Sequence, residues 1–278
     1  MKLLDCHLTV FDTETTGIDT SKDRVVEFGA VSRIGGPYVA KIEHHRYIHP
    51  QIPIPAEATS VHGITDTKVA NELPFHEVAG DLARVFQQAE VLVGYNAMSY
   101  DAAILNAEFE RASHPYRIDL SKVLDPVIFV RHHFRHLRSR KLGDMCAFLG
   151  VVLDHAHSAV ADSQATLDLL LELVRRKTIP EDVDEALRFQ WHFSKIQERE
   201  QAHWTYWLYE DREDGQLRLG AGKHCGTLLK EVDVGFLRWA VNKLNDLHPN
   251  VRECFEREIR CREGYRPMSA TALLRGRK

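Results

Sequence analysis

The feature that most constrains this chain is the segment Phe11-Asp12-Thr13-Glu14-Thr15-Thr16-Gly17, which puts acids at the end of the apolar run Leu8-Thr9-Val10. A run of this composition reads as a buried strand, and along a strand successive side chains alternate between faces. Asp12 and Glu14 are therefore expected on one face, about 7 Å apart along the strand. Two like charges held there repel each other. A divalent cation between them relieves the repulsion, and oxygen ligands favour Mg²⁺ or Mn²⁺. The competing reading is a solvated strand end whose acids face water, and the pair alone does not choose.

With 278 residues the chain can bury a large core and still carry a second, smaller domain. No stretch approaches the roughly 20 apolar residues of a membrane span, and the first residues lack the apolar core of a signal peptide. The expectation is a soluble, cytoplasmic protein without a membrane partner. Cys6, Cys146, Cys225, Cys254 and Cys261 are scattered and form no C-x-x-C pair, so they read as reduced thiols. The formal net charge of -4 argues against holding nucleic acid by bulk charge alone. From Gly215 onward, however, there are 13 Lys plus Arg against 7 Asp plus Glu. An acidic body with a basic tail suits an enzyme acting on a polyanion, although proteins with no such role share it.

Strands are expected at Leu8 to Asp12, Val25 to Ile34 and around Glu43 to Ile48, with Gly35-Gly36-Pro37 turning between the second and third. Pro50, Pro53 and Pro55 mark a loop. Helical spacing follows at Phe75 to Gln88 and Ala102 to Ala112, on either side of the short apolar strand Val91 to Gly94, and again at Ala159 to Arg176. Strands first, then alternating helix and strand, make an α/β layer fold. Pro180 marks a boundary, after which Glu181 to His203 reads as a charged amphipathic helix with Leu187, Trp191, Phe193 and Ile196 available for packing. Beyond it Trp204 to Tyr209 and Gln216 to Leu219 flank Asp214-Gly215 as a hairpin, and Val232 to Leu247 reads as a helix. The expected division is residues 1–177, a linker helix over 178–203, and a small basic module over 204–278.

Three places carry unusual chemistry. The first is Asp12 with Glu14. In the second, Val93 to Asp101, a carboxylate starts a helix directly after a strand, where Asp is also a favoured N-terminal cap. In the third, His157-Ser158-Ala159-Val160-Ala161-Asp162, a loop histidine precedes an acid one turn into a long helix, where the acid also complements the helix dipole.

Together these segments resemble the DEDDh class of 3′ to 5′ exonucleases, the DnaQ-like branch of the ribonuclease H-like fold, a group that includes proofreading epsilon subunits and exodeoxyribonuclease X. The resemblance covers about the first 175 residues, with FDTETTG its most specific motif, and Val61-His62-Gly63-Ile64-Thr65 matches a loop of the family. It implies a mixed central sheet flanked by helices. It also implies that Asp12, Glu14, Asp101 and Asp162 bind two divalent metal ions, Mg²⁺ or Mn²⁺, with His157 as general base. Thr15, Gly17, His62 and Asn96 would lie near the 3′-terminal nucleotide, with an apolar wedge from Met98, Phe109 or Leu142. The run Arg131 to Lys141 is a candidate backbone track with an aromatic inside it, against the alternative of a solvated basic loop.

Gly222-Lys223-His224-Cys225-Gly226, followed by Val232 to Trp239, resembles the small α+β C-terminal module of exodeoxyribonuclease X-like proteins and reads as an accessory single-strand contact or a structural cap. Gln216-Leu217-Arg218-Leu219 resembles part of a sliding-clamp-binding peptide, although its alternation fits a hairpin strand far better. The expected activity is metal-dependent release of nucleoside 5′-monophosphates from single-stranded or frayed DNA 3′ ends. RNA as substrate, or service as a proofreading or nucleic-acid-binding subunit beside a polymerase or clamp partner, are the alternatives.

Overall fold

The computed structural model describes residues 1–35, 39–135, 137, 139–153, 158–201, 207–211, 214–244 and 247–263. His157, the turn residues Gly36 and Pro37, and Trp204 to Tyr206 of the expected hairpin lie outside the described residues. The chain divides into two compact units, Met1–Phe134 with Arg140–Ser194, and Arg135–Ser139 with Lys195–Lys278.

The first unit is built on the strand that opens the argument. β1 (His7–Thr15) pairs antiparallel with β2 (Val25–Ile34), which pairs antiparallel with β3 (Ala40–Tyr47). On its other side β1 pairs parallel with β4 (Val91–Val93), and β4 with β5 (Val123–Leu124), giving a mixed sheet of order β3-β2-β1-β4-β5. Helices α1 (Ala56–His62), α2 (Asp66–Val69) and α3 (Phe75–Gln87) precede β4, and α4 (Asp101–Arg111) follows it. After β5 come α5 (Pro126–His133), α6 (Leu142–Leu149), α7 (Ala159–Arg175) and α8 (Val183–Gln201).

Alternation along β1 and β2 sorts their residues between two layers. Phe11, Phe28 and Ala30 face α3 and α4, forming a core with Leu82, Phe86, Leu105 and Phe109. There Phe86 meets Phe11 and Phe28 edge-on at 5.2 and 5.6 Å, a favoured aromatic geometry. The opposite face receives α7, which comes down on Gly29. A Cβ added there would sit 2.2 Å from the Ala159 carbonyl carbon, so only glycine admits this helix at this depth. The Ser163 hydroxyl donates to the Gly29 carbonyl at 3.1 Å and pins the first turns of α7 to β2.

Several elements differ from the sequence expectation. Pro55 caps α1, so the proline-rich stretch leads into a helix. The first three residues of the basic run, Arg131 to His133, are the last turn of α5, and Asp125-Pro126 starts that helix, with Asp125 accepting from Val127 N at 3.1 Å. In α8 the buried positions are Val183, Ala186 and Gln190, whereas Trp191 is 65% exposed. Phe193 does pack, stacked on His132 at 3.8 Å and edge-on to Phe129.

In the second unit β6 (Leu208–Glu210) and β7 (Leu217–Leu219) form the hairpin. Its buried Leu219 makes the Gln216 to Leu219 segment a strand that a clamp-binding peptide would have to abandon. Here α9 (Val234–Lys243) is shorter than the expected Val232 to Leu247. Leu244 is already extended, and α10 (Pro249–Arg262), which the sequence reading did not identify, starts behind His248 with proline at its first position. Leu208, Leu219, Leu237, Val251 and Phe255 form the core of this unit. Gly222 and Gly226 both take positive φ, and Lys223 lies 5.6 Å over the Phe236 ring while Trp239 is 49% exposed. No helix among the described residues is long and apolar enough to cross a membrane.

Candidate active site

The acids gather where β1 runs out. Asp12 and Glu14 point to the α7 side, where Asp162, in the first turn of that helix, joins them. Their carboxylate oxygens lie within 4.8 Å of one another, the spacing of a shared cation site. Gly29 produces this meeting. It is the register partner of Asp12, so the helix that rests on Gly29 delivers Asp162 beside Asp12.

A further carboxylate shares this face. Glu27, directly opposite Glu14 in register, is 2% exposed and contacts His45 Nε2 at 2.7 Å. Like charges directly across a ladder destabilise a sheet, and the imidazole offsets part of that cost. The crowding has an electrostatic signature. Burial, then the fields of Asp101, Asp162, Glu14 and Glu27, raise the Asp12 carboxyl well above the usual carboxylate range. Burial, then Asp162, Glu27 and Asp101, push Glu14 up to about 8. Such a cluster holds protons unless a positive charge replaces them.

Asp101 meets β1 along the flank that β4 leaves unpaired. Its Oδ1 accepts from Thr13 N at 3.0 Å and from the Thr13 hydroxyl at 2.6 Å, and Thr13 alternates away from Asp12 and Glu14. Burial raises Asp101 to about 6 while these hydrogen bonds pull the other way. The structure thus brings together Asp12, Glu14 and Asp162, and fixes Asp101 beside them through β1 itself.

Of the residues expected around the substrate end, hydrogen bonds join Thr15, Gly17 and His62, whereas Asn96 bonds to Asp125 and Arg131. His62 Nδ1 accepts from Ile64 N at 3.0 Å, which assigns the proton to Nε2, and Nε2 donates to the Thr15 carbonyl at 3.2 Å. The Thr15 hydroxyl donates to the Gly17 carbonyl at 2.9 Å, and the Tyr100 phenol donates to the same oxygen. A Cβ at Gly17 would sit 2.5 Å from Asp23 Oδ2, so the Asp23 carboxylate, which accepts from the Thr16 hydroxyl and Asp19 N, would have to move. Next to Gly17, Ile18 is 88% exposed. Asn96 has a left-handed backbone with φ 67, and its side-chain oxygen accepts from Arg131 at 3.1 Å.

Of the three wedge candidates, Phe109 is excluded because it is fully buried against Phe75 and Tyr116. Met98 packs against the core and accepts from Gln190 through its sulfur. The basic run is in part structural. Besides the Arg131 contact, the Arg140 carbonyl accepts from the Tyr95 hydroxyl at 2.5 Å, while His136 and Arg138 lie outside the described residues. Sequence reasoning missed Glu27 and Tyr100 as parts of the site. An acid between Val26 and Phe28, in an otherwise apolar strand, was a readable signal for the first, whereas nothing in the sequence marked Tyr100.

The RNase_T exonuclease family matches residues 9–170. The chain is 32% identical over 179 residues to the PolC-type DNA polymerase III of Streptococcus pneumoniae, and 30% identical over 173 residues to that of Caldanaerobacter subterraneus. These matches cover 63% and 62% of this chain but only 12% of either polymerase. In structure it is similar to exonuclease X in complex with 5′ overhanging duplex DNA, with a TM-score of 0.51, 20% identity, and coverage of 66% of this chain and 99% of that one. It is also similar to the zinc-bound E. coli exonuclease I–single-stranded DNA complex, with a TM-score of 0.57, 18% identity, and coverage of 93% and 67%. The five-stranded mixed sheet with its flanking helices is the ribonuclease H-like fold of these exonucleases.

Proposed function

Because the chain belongs to the RNase_T exonuclease family, we propose that it hydrolyses the phosphodiester bond at the 3′ end of single-stranded or frayed DNA and releases nucleoside 5′-monophosphates. The observation that carries this reading is the meeting of Asp12, Glu14 and Asp162 within 4.8 Å at the end of the central strand. An all-oxygen donor set, in which burial and neighbouring acids raise the proton affinities of Asp12 and Glu14, suits a hard divalent cation, Mg²⁺ or Mn²⁺, and offers nothing to a soft one.

Asp12, Glu14 and Asp162 hold the ions in this reading, with Asp101, fixed by Thr13, serving the second. When bound, two such ions supply an activated water, shielding of the anionic phosphate and stabilisation of the departing 3′ oxygen. His157 would be the general base toward that water, a contribution of about 10² to 10⁴ in rate. Thr15, Gly17, His62 and Asn96 shape the floor for the terminal nucleotide, with Tyr100 and the His62 Nε2–H holding the backbone of residues 15–17 in place. Exposed Ile18 packs against the terminal base. The basic second unit, with Lys223 and Trp239, adds an accessory contact to the strand, and the relation to PolC-type polymerases points to work beside a polymerase.

End-labelled DNA and RNA of one sequence, single- and double-stranded, incubated with Mg²⁺, Mn²⁺ or chelator, tests the proposal. Stepwise loss of nucleotides from single-stranded DNA 3′ ends, abolished by chelator and by Asp12→Ala, is the expected result. Activity that survives chelator, internal cleavage, or a preference for RNA would overturn it.

A further inference from the structure

The loop from Gly94 to Tyr100, which carries Asn96 and Met98, is held by a residue outside the exonuclease-family match. That match ends at residue 170, and α8 begins at Val183. Gln190, on α8, is 4% exposed. Its side-chain oxygen accepts from Asp125 N at 2.6 Å, and its amide nitrogen donates to the Val123 carbonyl at 2.8 Å and to the Met98 sulfur at 3.1 Å. Asp125, 1% exposed, carries the support onward. Its Oδ1 accepts from Asn96 N at 2.8 Å and its Oδ2 from Met98 N at 3.2 Å.

We infer that Gln190 is a positioning residue for the substrate side of the site, and that α8 completes the exonuclease unit by clamping the Asn96–Met98 loop through Asp125. A buried amide is retained at a cost unless its donors and acceptor are satisfied, and here all its bonds go to the loop or its supports. The loop needs such a clamp. Asn96 is a non-glycine residue in the left-handed region, a conformation that persists only where its surroundings over-determine it. Asp101 is anchored independently, through Thr13 on β1, so the clamp governs Asn96 and Met98 without governing the acid that follows them.

The functional consequence rests on the exonuclease reading, whereas the structural one does not, and the test separates them. Gln190→Met in the full chain keeps the shape and removes the hydrogen bonds, and Gln190→Glu keeps the acceptor while removing the donor. Amide exchange at Asn96 and Met98 is measured first, with Thr13 and Leu105 as internal references. It should accelerate about tenfold or more in Gln190→Met while the references stay near wild type. For a single-stranded oligonucleotide in Mg²⁺, KM should rise about fivefold or more with kcat held within about twofold. If Gln190→Met does not fold, Gln190→Glu is read by the same criteria.

Acceleration at Asn96 and Met98 only in step with the references would overturn the inference, because it signals a general loss of stability. So would an unchanged KM in an active variant. A wild-type chain that degrades no nucleic acid would refute the proposed function, and the exchange measurement would still decide the role of Gln190.

Discussion

Asp12 and Gly29 are register partners across β1 and β2, and the absent side chain of Gly29 sets where Asp162 can stand. Gly29→Ala places a methyl 2.2 Å from the Ala159 carbonyl carbon, so α7 must lift. Overpacking of this kind costs about 1 to 3 kcal/mol. The displacement also separates Asp162 from Asp12, and Mn²⁺ affinity should fall by about tenfold or more. Urea unfolding and calorimetric titration with Mn²⁺ measure both. Gly143→Ala is the control, because its new Cβ meets only Leu153 Cδ2 at an ordinary 3.7 Å. Equal behaviour of the two variants would refute this account of Gly29.

Neutralising the cluster should separate function from stability. In Glu14→Gln the repulsion from Asp162, Glu27 and Asp101 is relieved while the side-chain shape is kept. At pH 8 in chelator the variant should unfold at a higher temperature than wild type, and in Mg²⁺ it should lose at least about 10³ in turnover. A lower melting temperature in chelator would mean that Glu14 is not the strained carboxylate described above.

The same strain fixes a pH dependence. The folded-state proton affinity of Glu14 is raised to about 8, above the roughly 4.3 of an unfolded glutamate. The native state therefore keeps a proton that the unfolded state releases, and without a cation this contribution is complete below about pH 4 and is lost as pH rises through about 8. A cation displaces that proton. Mg²⁺ binding at about pH 7 should release protons and tighten as pH rises toward about 8. Melting temperatures with and without chelator, and calorimetry in buffers of different ionisation enthalpy, read the two effects. Binding that releases no protons would contradict the assigned strain.

Ile18 should behave as a contact residue with no part in folding. It is 88% exposed, so Ile18→Ser should leave the unfolding midpoint within about 0.5 kcal/mol of wild type. It should also raise KM for an oligonucleotide by about fivefold or more. Phe109→Ala, by contrast, empties the core and should cost about 3 to 5 kcal/mol. If Ile18→Ser leaves KM unchanged, the side chain has no role in holding the substrate end.

What the sequence revealed of this architecture depended on whether a signal was local. The apolar run of β2 ends in the structure where its composition ends, at Val25 and Ile34, and Leu167 and Leu170 mark the buried face of α7. β5 has only two residues, too few to show a period. The helix α5 was hidden because its last turn, Arg131 to His133, is basic, and charge there reads as a loop when considered without the capping Asp125-Pro126 before it. Asp12, Glu14 and Asp162 were legible from their motifs. That Asp101 reaches the site through Thr13, and that Glu27 adds to the charge, are facts of register, which no single segment carries.

β1 outruns one of its neighbours. Its pairing with β4 ends at Val10 opposite Val93, whereas its pairing with β2 continues to Thr15. Over residues 11–15 a central strand thus becomes a border strand, and at Thr13 the partner on the bare side is the Asp101 carboxylate in place of another backbone. The acids inherit the stiffness of the sheet on one flank and, on the other, meet the start of α4 in place of a further strand. On the exonuclease reading, a polymer end reaching these acids from that flank would not require the sheet to part.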